Sequence, residues 1–480
     1  MITLVTFLIA LAVFGAVGLA SVTRSKGTTA DYLLAGQDVS PLLVAASAFA
    51  TNFSGYMFIG VVGFVYAYGV SALWLTFGWT LGEALVWIWG HGQVRRFVQA
   101  HPAVTVPEVL ATPPGDRPAR PQHRVMAVTA LATLLFLTLY ASAQMTAGSK
   151  ALHVLFGWRM ETGAILGAII VLAYCWAGGL RAAIWSDLAQ AVVMFAVMAM
   201  LLFAAVSQVG GPVELFARLR AIHPSFVSLR PSQVSFGLLG VVLYVIGWVS
   251  GGIGNLGQPQ LLIRTMALRR ADEIPRVRWY YLSSTLVFRA LVVVVALYAR
   301  VLLSAADVSD VELAMPRLAV QMLHPALAGL FLAGLFAATM STADSLILAC
   351  SAALTQDLPS SLRRDGRPLG LLAGKLGTLG ITVFALLMAL YGPTGVFQII
   401  NFAWSSMAAM ILPLLVLRLL RKPIREPLAV TMMLVGGAVA VAWRLAGLHT
   451  IVLDSAPGIL AGFLVFALAG ARKSPVSAPE

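Results

Sequence analysis

The segment FAATMSTADSLILACSAALTQDL, Phe336 to Leu358, sets Ser341, Thr342, Asp344, Ser345 and Ser351 in a run that is otherwise apolar. Hydroxyls and a carboxyl are costly in hydrocarbon unless another group uses them. On a helix, Ala338, Ser341, Thr342 and Ser345 fall at i, i+3, i+4 and i+7, which is one stripe. Two neighbouring hydroxyls one turn beyond a small residue give an oxygen-lined surface. Hydroxyl and carbonyl oxygens can replace the hydration shell of a hard cation such as Na⁺. The same hydroxyls could instead bond back to the carbonyl one turn earlier, or hold two helices together.

A cation site needs a second wall. SAFATNFSGYMFIGVVG, Ser47 to Gly63, places Asn52, Ser54, Tyr56 and the glycines Gly55, Gly60 and Gly63 in another apolar span. Glycine and small polar residues let a membrane helix unwind, and the freed carbonyls can coordinate ions where they face protein. Close helix packing through the glycines is the other reading, and the two are compatible. Asp187, in GGLRAAIWSDLAQAVVMF, is an intramembrane carboxylate and so a functional candidate. Arg181 stands six residues before it, so an interfacial acid is the equal alternative. Glu83, in TLGEALVWIWG, is deeper and has no obvious local partner. It either contacts a polar group of a substrate or is held protonated by burial.

Elements that carry such residues must be membrane helices. The chain has 480 residues, 60% hydrophobic and 11% charged, with a mean hydropathy of +0.90. A soluble chain of this length would carry far more charge, so an all-α polytopic membrane protein in a lipid bilayer is expected. The net charge of +13 does not point to nucleic acid, because the basic residues fall between apolar runs rather than on one face. No metal-ligand spacing, phosphate-binding loop or nucleophile motif is present, and the seven histidines fall near predicted loops or helix ends. An enzyme is therefore not expected. About thirteen spans are expected, near 2–20, 41–67, 71–93, 125–148, 161–180, 184–208, 235–262, 279–303, 326–354, 371–392, 394–417, 428–446 and 456–471. Alternate connections are rich in basic residues: Arg24 and Lys26; Arg95, Arg96, Arg117, Arg120 and Arg124; Arg181; Arg264, Arg269, Arg270, Arg276 and Arg278; Arg363, Arg364 and Arg367; and Arg418, Arg421, Lys422, Arg425, Arg472 and Lys473. The positive-inside rule then places the N-terminus outside and the C-terminus in the cytoplasm. The Pro- and Arg-rich loops Ala111–Arg124 and Asp357–Pro368 receive no function.

Five pieces in order, ATNFSGYMFIG, LYASAQMTAGSKALHVLFG, AGGLRAAIWSDLAQAVVMF, LGQPQLLIRTMALRRADEIPR and MSTADSLILACSAALTQDL, make the chain resemble the sodium:solute symporters. Within them it is most similar to the sodium/proline symporters. The resemblance implies a LeuT-type five-plus-five inverted repeat built from helices 2–6 and 7–11. Residues 1–30 would be a first helix and linker, 31–420 the transporter core, and 421–480 two further helices and a tail. It implies Na⁺-coupled symport of a small organic solute by a monomer in the bacterial cytoplasmic membrane. The implied Na⁺ ligands are the carbonyls of Ala50, Phe53 and Ala338 and the hydroxyls of Ser341 and Thr342. Asp187 matches an aspartate of cation coupling and gating, with Asp344 and Ser345 beside it. The candidate solute contacts are Asn52, Ser54, Gly55, Tyr56, Glu83, Tyr140, Asn255 and Gln258, joined by Trp248. Proline symporters have an aspartate at Asn52, a tryptophan at Tyr56, and a tryptophan and a tyrosine at Gly251 and Asn255. Of these aromatic positions Tyr140 alone is retained, and Trp248, three residues before Gly251, is expected to compensate in part. An amino acid such as proline is expected, with a monocarboxylate, a sugar, a vitamin, or a sensor that binds without transport as alternatives.

Overall fold

The computed structural model describes residues 1–22, 29–115, 121–232, 234, 237–304, 306, 308–362 and 370–471. Arg24, Lys26, Arg117, Arg120, Arg363, Arg364, Arg367, Arg472 and Lys473, on which part of the charge alternation rests, lie outside the described residues. Among those described, every regular element is helical. In chain order the main helices are α1 (Ile2–Val22), α2 (Pro41–Asn52), α3 (Val62–Tyr68), α4 (Leu73–Ala100), α5 (His123–Phe156), α6 (Met160–Val209) and α7 (Gly237–Ile253). They continue with α8 (Pro259–Ala267), α9 (Ile274–Leu302), α10 (Pro325–Ala352), α11 (Leu371–Tyr391), α12 (Val396–Leu419), α13 (Glu426–Leu445) and α14 (Ser455–Ala471). Nine of the described helical runs are long and apolar enough to cross a membrane. Four shorter apolar helices, Ile2–Val17, Pro41–Asn52, Met160–Ala173 and Ser455–Ala469, accompany them. The most enclosed runs are those of α10 and α12, and α10 packs most extensively on α6.

Two helices are interrupted, and their local sequences say why. After Asn52 the backbone leaves the helical region at Phe53 (φ −91, ψ 68), and a π-helical turn over Tyr56–Val61 leads into α3. Gly55 sits where this break meets its neighbours: a Cβ there would lie 2.7 Å from that of Ala147 and 2.8 Å from Thr339 Cγ2. The amides freed by the break find side chains. Gly55 N donates to Gln144 Oε1 at 3.0 Å, and Tyr56 N donates to Ser54 Oγ at 3.1 Å. Satisfying them is what makes unwound backbone tolerable at membrane depth. The second interruption separates α7 from α8. A tight turn over Gly254–Gly257 ends at Gln258 in an extended conformation (φ −104, ψ 108). Pro259, which has no N–H to leave unpaired, then opens α8. The two broken helices meet in a parallel backbone bridge between Val39 and Leu268.

The spans expected at 161–180 and 184–208 meet at Gly179 (φ 57, ψ −153), where the helical backbone of α6 breaks between two helices. A side chain there would press within 2.6 Å of the Tyr32 carbonyl, so the bend needs glycine. Arg264 and Arg95, counted among loop charges, are buried: Arg264 lies within α8, and Arg95 donates to the carbonyls of Leu268 and Arg269. His91, expected near a helix end, is fully buried inside α4, between Thr265 Oγ1 at 2.7 Å and Asn255 Oδ1 at 3.1 Å.

Candidate functional site

The hydroxyl stripe of α10 faces the last turn of α2. Ser341 Oγ lies 2.8 Å from the Ala50 carbonyl and 3.3 Å from that of Ala338. Thr342 Oγ1 lies 2.8 Å from the Thr51 carbonyl and 3.1 Å from that of Ala338. Ala50, Ala338, Ser341 and Thr342 thus form one junction of neutral oxygens, and Thr51, which sequence reasoning passed over, joins it. Phe53 lies one residue past α2, at the break; its ring stacks on Phe49 and carries the Arg289 guanidinium 5.2 Å above it. Back-bonding within α10 and cross-helix bonding both occur in the same hydroxyls. A set of neutral carbonyl and hydroxyl oxygens fits a monovalent hard cation.

One turn along α10 the chemistry becomes charged. Asp187 is wholly buried, so it is not an interfacial acid; Arg181, its supposed surface neighbour, pairs with Asp31 at 2.6 Å instead. Asp187 Oδ2 accepts from Ser47 Oγ at 2.5 Å and from Arg264 Nη2 at 3.4 Å. The Arg264 guanidinium is itself 1% exposed. Its Nε donates to Ser47 Oγ at 2.9 Å, its Nη1 to the Gln260 carbonyl at 2.6 Å, and its Nη2 also to Ser345 Oγ. Ser345 lies 2.9 Å from Asp344 Oδ1 and 2.6 Å from the Ser341 carbonyl. Asp187, Asp344 and Ser345 are therefore brought together by Arg264 and Ser47, neither of which was singled out from sequence. Arg264 carried a readable signal: it follows Leu261, Leu262 and Ile263, so an arginine stands inside an apolar turn.

On the other side of the α2 break lies a small cavity of about 20 Å³, room for one or two waters, lined by Asn52, Tyr56, Trp79, Tyr140, Arg289 and Trp404 among others. Asn52, Tyr56 and Tyr140 share it. Tyr56 donates its hydroxyl to Asn401 Oδ1 at 3.1 Å and stacks on Phe397, while Ser54 Oγ stands 3.4 Å from the Tyr140 hydroxyl. Glu83 sits behind this wall and is fully buried. Its Oε1 accepts from Asn52 Nδ2 at 2.8 Å, from Trp79 Nε1 at 3.0 Å and from Arg289 Nη2 at 3.0 Å. Glu83, for which the sequence offers no obvious local partner, takes its partners from α2 and α9 as well as Trp79 of its own helix. Gly55 turns its amide away to Gln144. Trp248, Asn255 and Gln258 are not brought to the cavity wall. Trp248 packs on Trp79 and Phe64, Asn255 bonds His91, and Gln258 donates to the Trp404 carbonyl at 3.0 Å. The aromatic surface comes from Trp79 and Trp404 instead. Arg289, inside the span expected at 279–303, could have been found by the rule that singled out Glu83.

A model of the sodium:solute symporter family matches residues 32–436, well over half of the chain. The chain belongs to that family. Similar curated proteins include the high-affinity proline transporter PutP of Bacillus subtilis, 27% identical over 457 residues that make up 93% of each chain. The osmoregulated proline transporter OpuE of the same organism is 29% identical over 451 residues, 91% of this chain and 88% of that one. Among solved structures, a Na⁺-coupled sialic acid symporter in a substrate-bound outward-open state superposes with a TM-score of 0.79 at 18% identity, covering 98% of both chains. A nucleobase-cation-symport-1 family transporter superposes with a TM-score of 0.56 at 15% identity, over 93% of this chain and 96% of that one. As a sodium:solute symporter with these neighbours, the chain is a multi-pass membrane transporter of LeuT-type fold and not an enzyme. Its two broken helices, α2–α3 and α7–α8, are the discontinuous elements around which such transporters build their sites.

Proposed function

We propose that the chain couples inward movement of Na⁺ to uptake of a small amino acid of proline's size across the bacterial cytoplasmic membrane, with its N-terminus outside. The observation that carries this reading is the break at Phe53–Gly55, which has the neutral-oxygen junction on one side and the Arg289-lined aromatic cavity on the other. In this reading the hydroxyls of Ser341 and Thr342, with the carbonyls of Ala50, Phe53 and Ala338, take the cation. Asp187, Asp344 and Ser345 form the coupling cluster beside it. The Arg289 guanidinium, held by Glu83 and by Thr80, supplies the positive charge and its remaining N–H donors for a carboxylate, while Tyr56, Trp79, Tyr140 and Trp404 cover a compact apolar ring. Residues 31–420 act as the transporting core, and 421–480 support it. The similarity to two proline transporters supports the solute class.

Purified protein in liposomes, loaded with K⁺ and diluted into Na⁺, should accumulate labelled proline. Replacing outside Na⁺ by choline should abolish that accumulation. A panel of amino acids, monocarboxylates and sugars then sets the order of preference. Uptake indifferent to Na⁺ across the whole panel would remove the coupling. Na⁺-dependent uptake of a sugar but of no amino acid would remove the solute class.

A further inference from the structure

Thr112, Pro114, Gly115 and Pro121, from the Pro- and Arg-rich connection left without a function by the sequence, line a second and much larger cavity of about 670 Å³. Its wall includes Gln93, Arg96 and His101 from the end of α4 and the turn after it, Glu108 from the short helix Val106–Ala111, and Arg418 and Arg421 at the end of α12. This is the side that the charge alternation assigns to the cytoplasm. Three guanidiniums and one carboxylate therefore face the same space, and the carboxylate is already engaged, since Glu108 Oε2 accepts from Val104 N at 2.8 Å.

Arg418 is the informative member. It is 0% exposed, and only its Nη2 has a protein acceptor, Gln122 Oε1. Its Nε and Nη1 have none. Arg264, Arg289 and Arg444, which are also largely buried, each meet a carboxylate. A guanidinium held out of water without an anion is unfavourable, and its uncompensated charge sets a positive potential in the cavity it lines. Arg421 adds a second anomaly. It ends α12 in a left-handed conformation (φ 57), the position at which helices ordinarily place glycine, so an arginine stands there against its backbone preference.

We propose that this cavity is a binding site for a phosphate group, held by Arg418 with Arg96 and Arg421. The planar donor fork of arginine matches phosphate oxygens, and the volume accepts a group of headgroup size. Two sources share this chemistry, a soluble phosphate and the headgroup of an anionic phospholipid at the membrane surface. The proposal uses the orientation given above but is independent of the transported solute and of the Na⁺ ligands.

The test places the protein in phosphatidylcholine nanodiscs and follows its thermal midpoint in two arms. One titrates inorganic phosphate against chloride at equal ionic strength; the other replaces part of the phosphatidylcholine by phosphatidylglycerol. A ligand that binds only the folded protein raises the midpoint saturably. We expect such a rise in at least one arm: with phosphate if a soluble anion is the ligand, with phosphatidylglycerol alone if a headgroup is. Arg418→Gln should abolish it. Joint replacement of the exposed Arg96 and Arg421 by Gln should raise the half-saturating concentration at least about tenfold, and decides the matter if Arg418→Gln does not fold. No saturable rise in either arm overturns the site. So does an Arg418→Gln protein that keeps the rise in full, or a double variant with unchanged half-saturation.

Discussion

Replacing Asp187 by Asn tests the charged cluster most directly. The carboxylate is 0% exposed and the facing guanidinium 1%, with Nη2 3.4 Å from Oδ2. Asn can still accept from Ser47, so the change removes charge while keeping shape. Arg264 would then keep only neutral acceptors among its direct partners, Ser47, Ser345 and the Gln260 carbonyl. Removing one member of a buried ion pair ordinarily costs about 3–5 kcal/mol, because the remaining charge stays out of water. Asp344, 2.9 Å from Ser345, lies close enough to compensate in part, so about 2–4 kcal/mol is expected here. Replacing Arg264 by Met as well removes the orphaned charge. The double variant should recover much of the stability, with a coupling energy on the order of 2 kcal/mol in the cycle. Thermal midpoints of the wild type, both single variants and the double variant give that coupling. Na⁺-driven uptake, normalised to folded protein, separates stability from transport: the double variant should be stable and inactive. An additive cycle would refute the account of a tight buried pair. A double variant that transports at the wild-type rate would show the cluster to be structural only.

Ser341→Ala and Thr342→Ala should each raise the Na⁺ concentration for half-maximal uptake by about 10- to 100-fold, the worth of one oxygen facing a charge, with little change in protein level. Unaltered Na⁺ dependence in both, measured by uptake at varied Na⁺, would remove the hydroxyls from the cation site. Arg289→Gln should raise the half-saturating solute concentration by more than about tenfold while solute-free Na⁺ binding, read by Na⁺-dependent thermal shift, changes little. The reverse pattern would exchange the two assignments. Gly55→Ala should destabilise the fold by about 1–3 kcal/mol, since its methyl meets Ala147 and Thr339 at 2.7 and 2.8 Å, and a midpoint equal to the wild type would show that the break yields easily.

The sequence made the helical class and the polar stripe of α10 legible for one physical reason: in hydrocarbon a polar side chain is conspicuous, and helical spacing then fixes which polar residues share a face. Glu83, Asp187, Ser341 and Thr342 were found that way. What could not be read were partners across the bundle. Arg264 looked like a loop charge because positive-inside reasoning counts arginines near span ends, whereas α8 is a short half-helix that carries its arginine back into the protein. Arg289 was overlooked although an arginine within a span is as conspicuous as a glutamate. Trp248 was chosen for its nearness in sequence to Gly251, yet Trp79 and Trp404, from α4 and α12, reach the cavity. Such placements depend on how helices cross, and no local pattern encodes that.

The parallel bridge between Val39 and Leu268 has a mechanical meaning. Val39 N donates to the Ala267 carbonyl and Arg269 N to the Val39 carbonyl, both at 3.2 Å. Val39 stands two residues before α2, and Leu268 directly follows α8. No substitution other than proline removes the donors of these bonds, and a relative slip of about an ångström would lose both. Arg264 adds a strut from α8 to Ser47 in α2. These ends of the two discontinuous helices therefore share one displacement, while the breaks at Phe53 and Gln258 interrupt the backbone ladders that would otherwise continue into α3 and α7. The ends of α2 and α8 form one coupled unit, and a load applied to either is delivered to both.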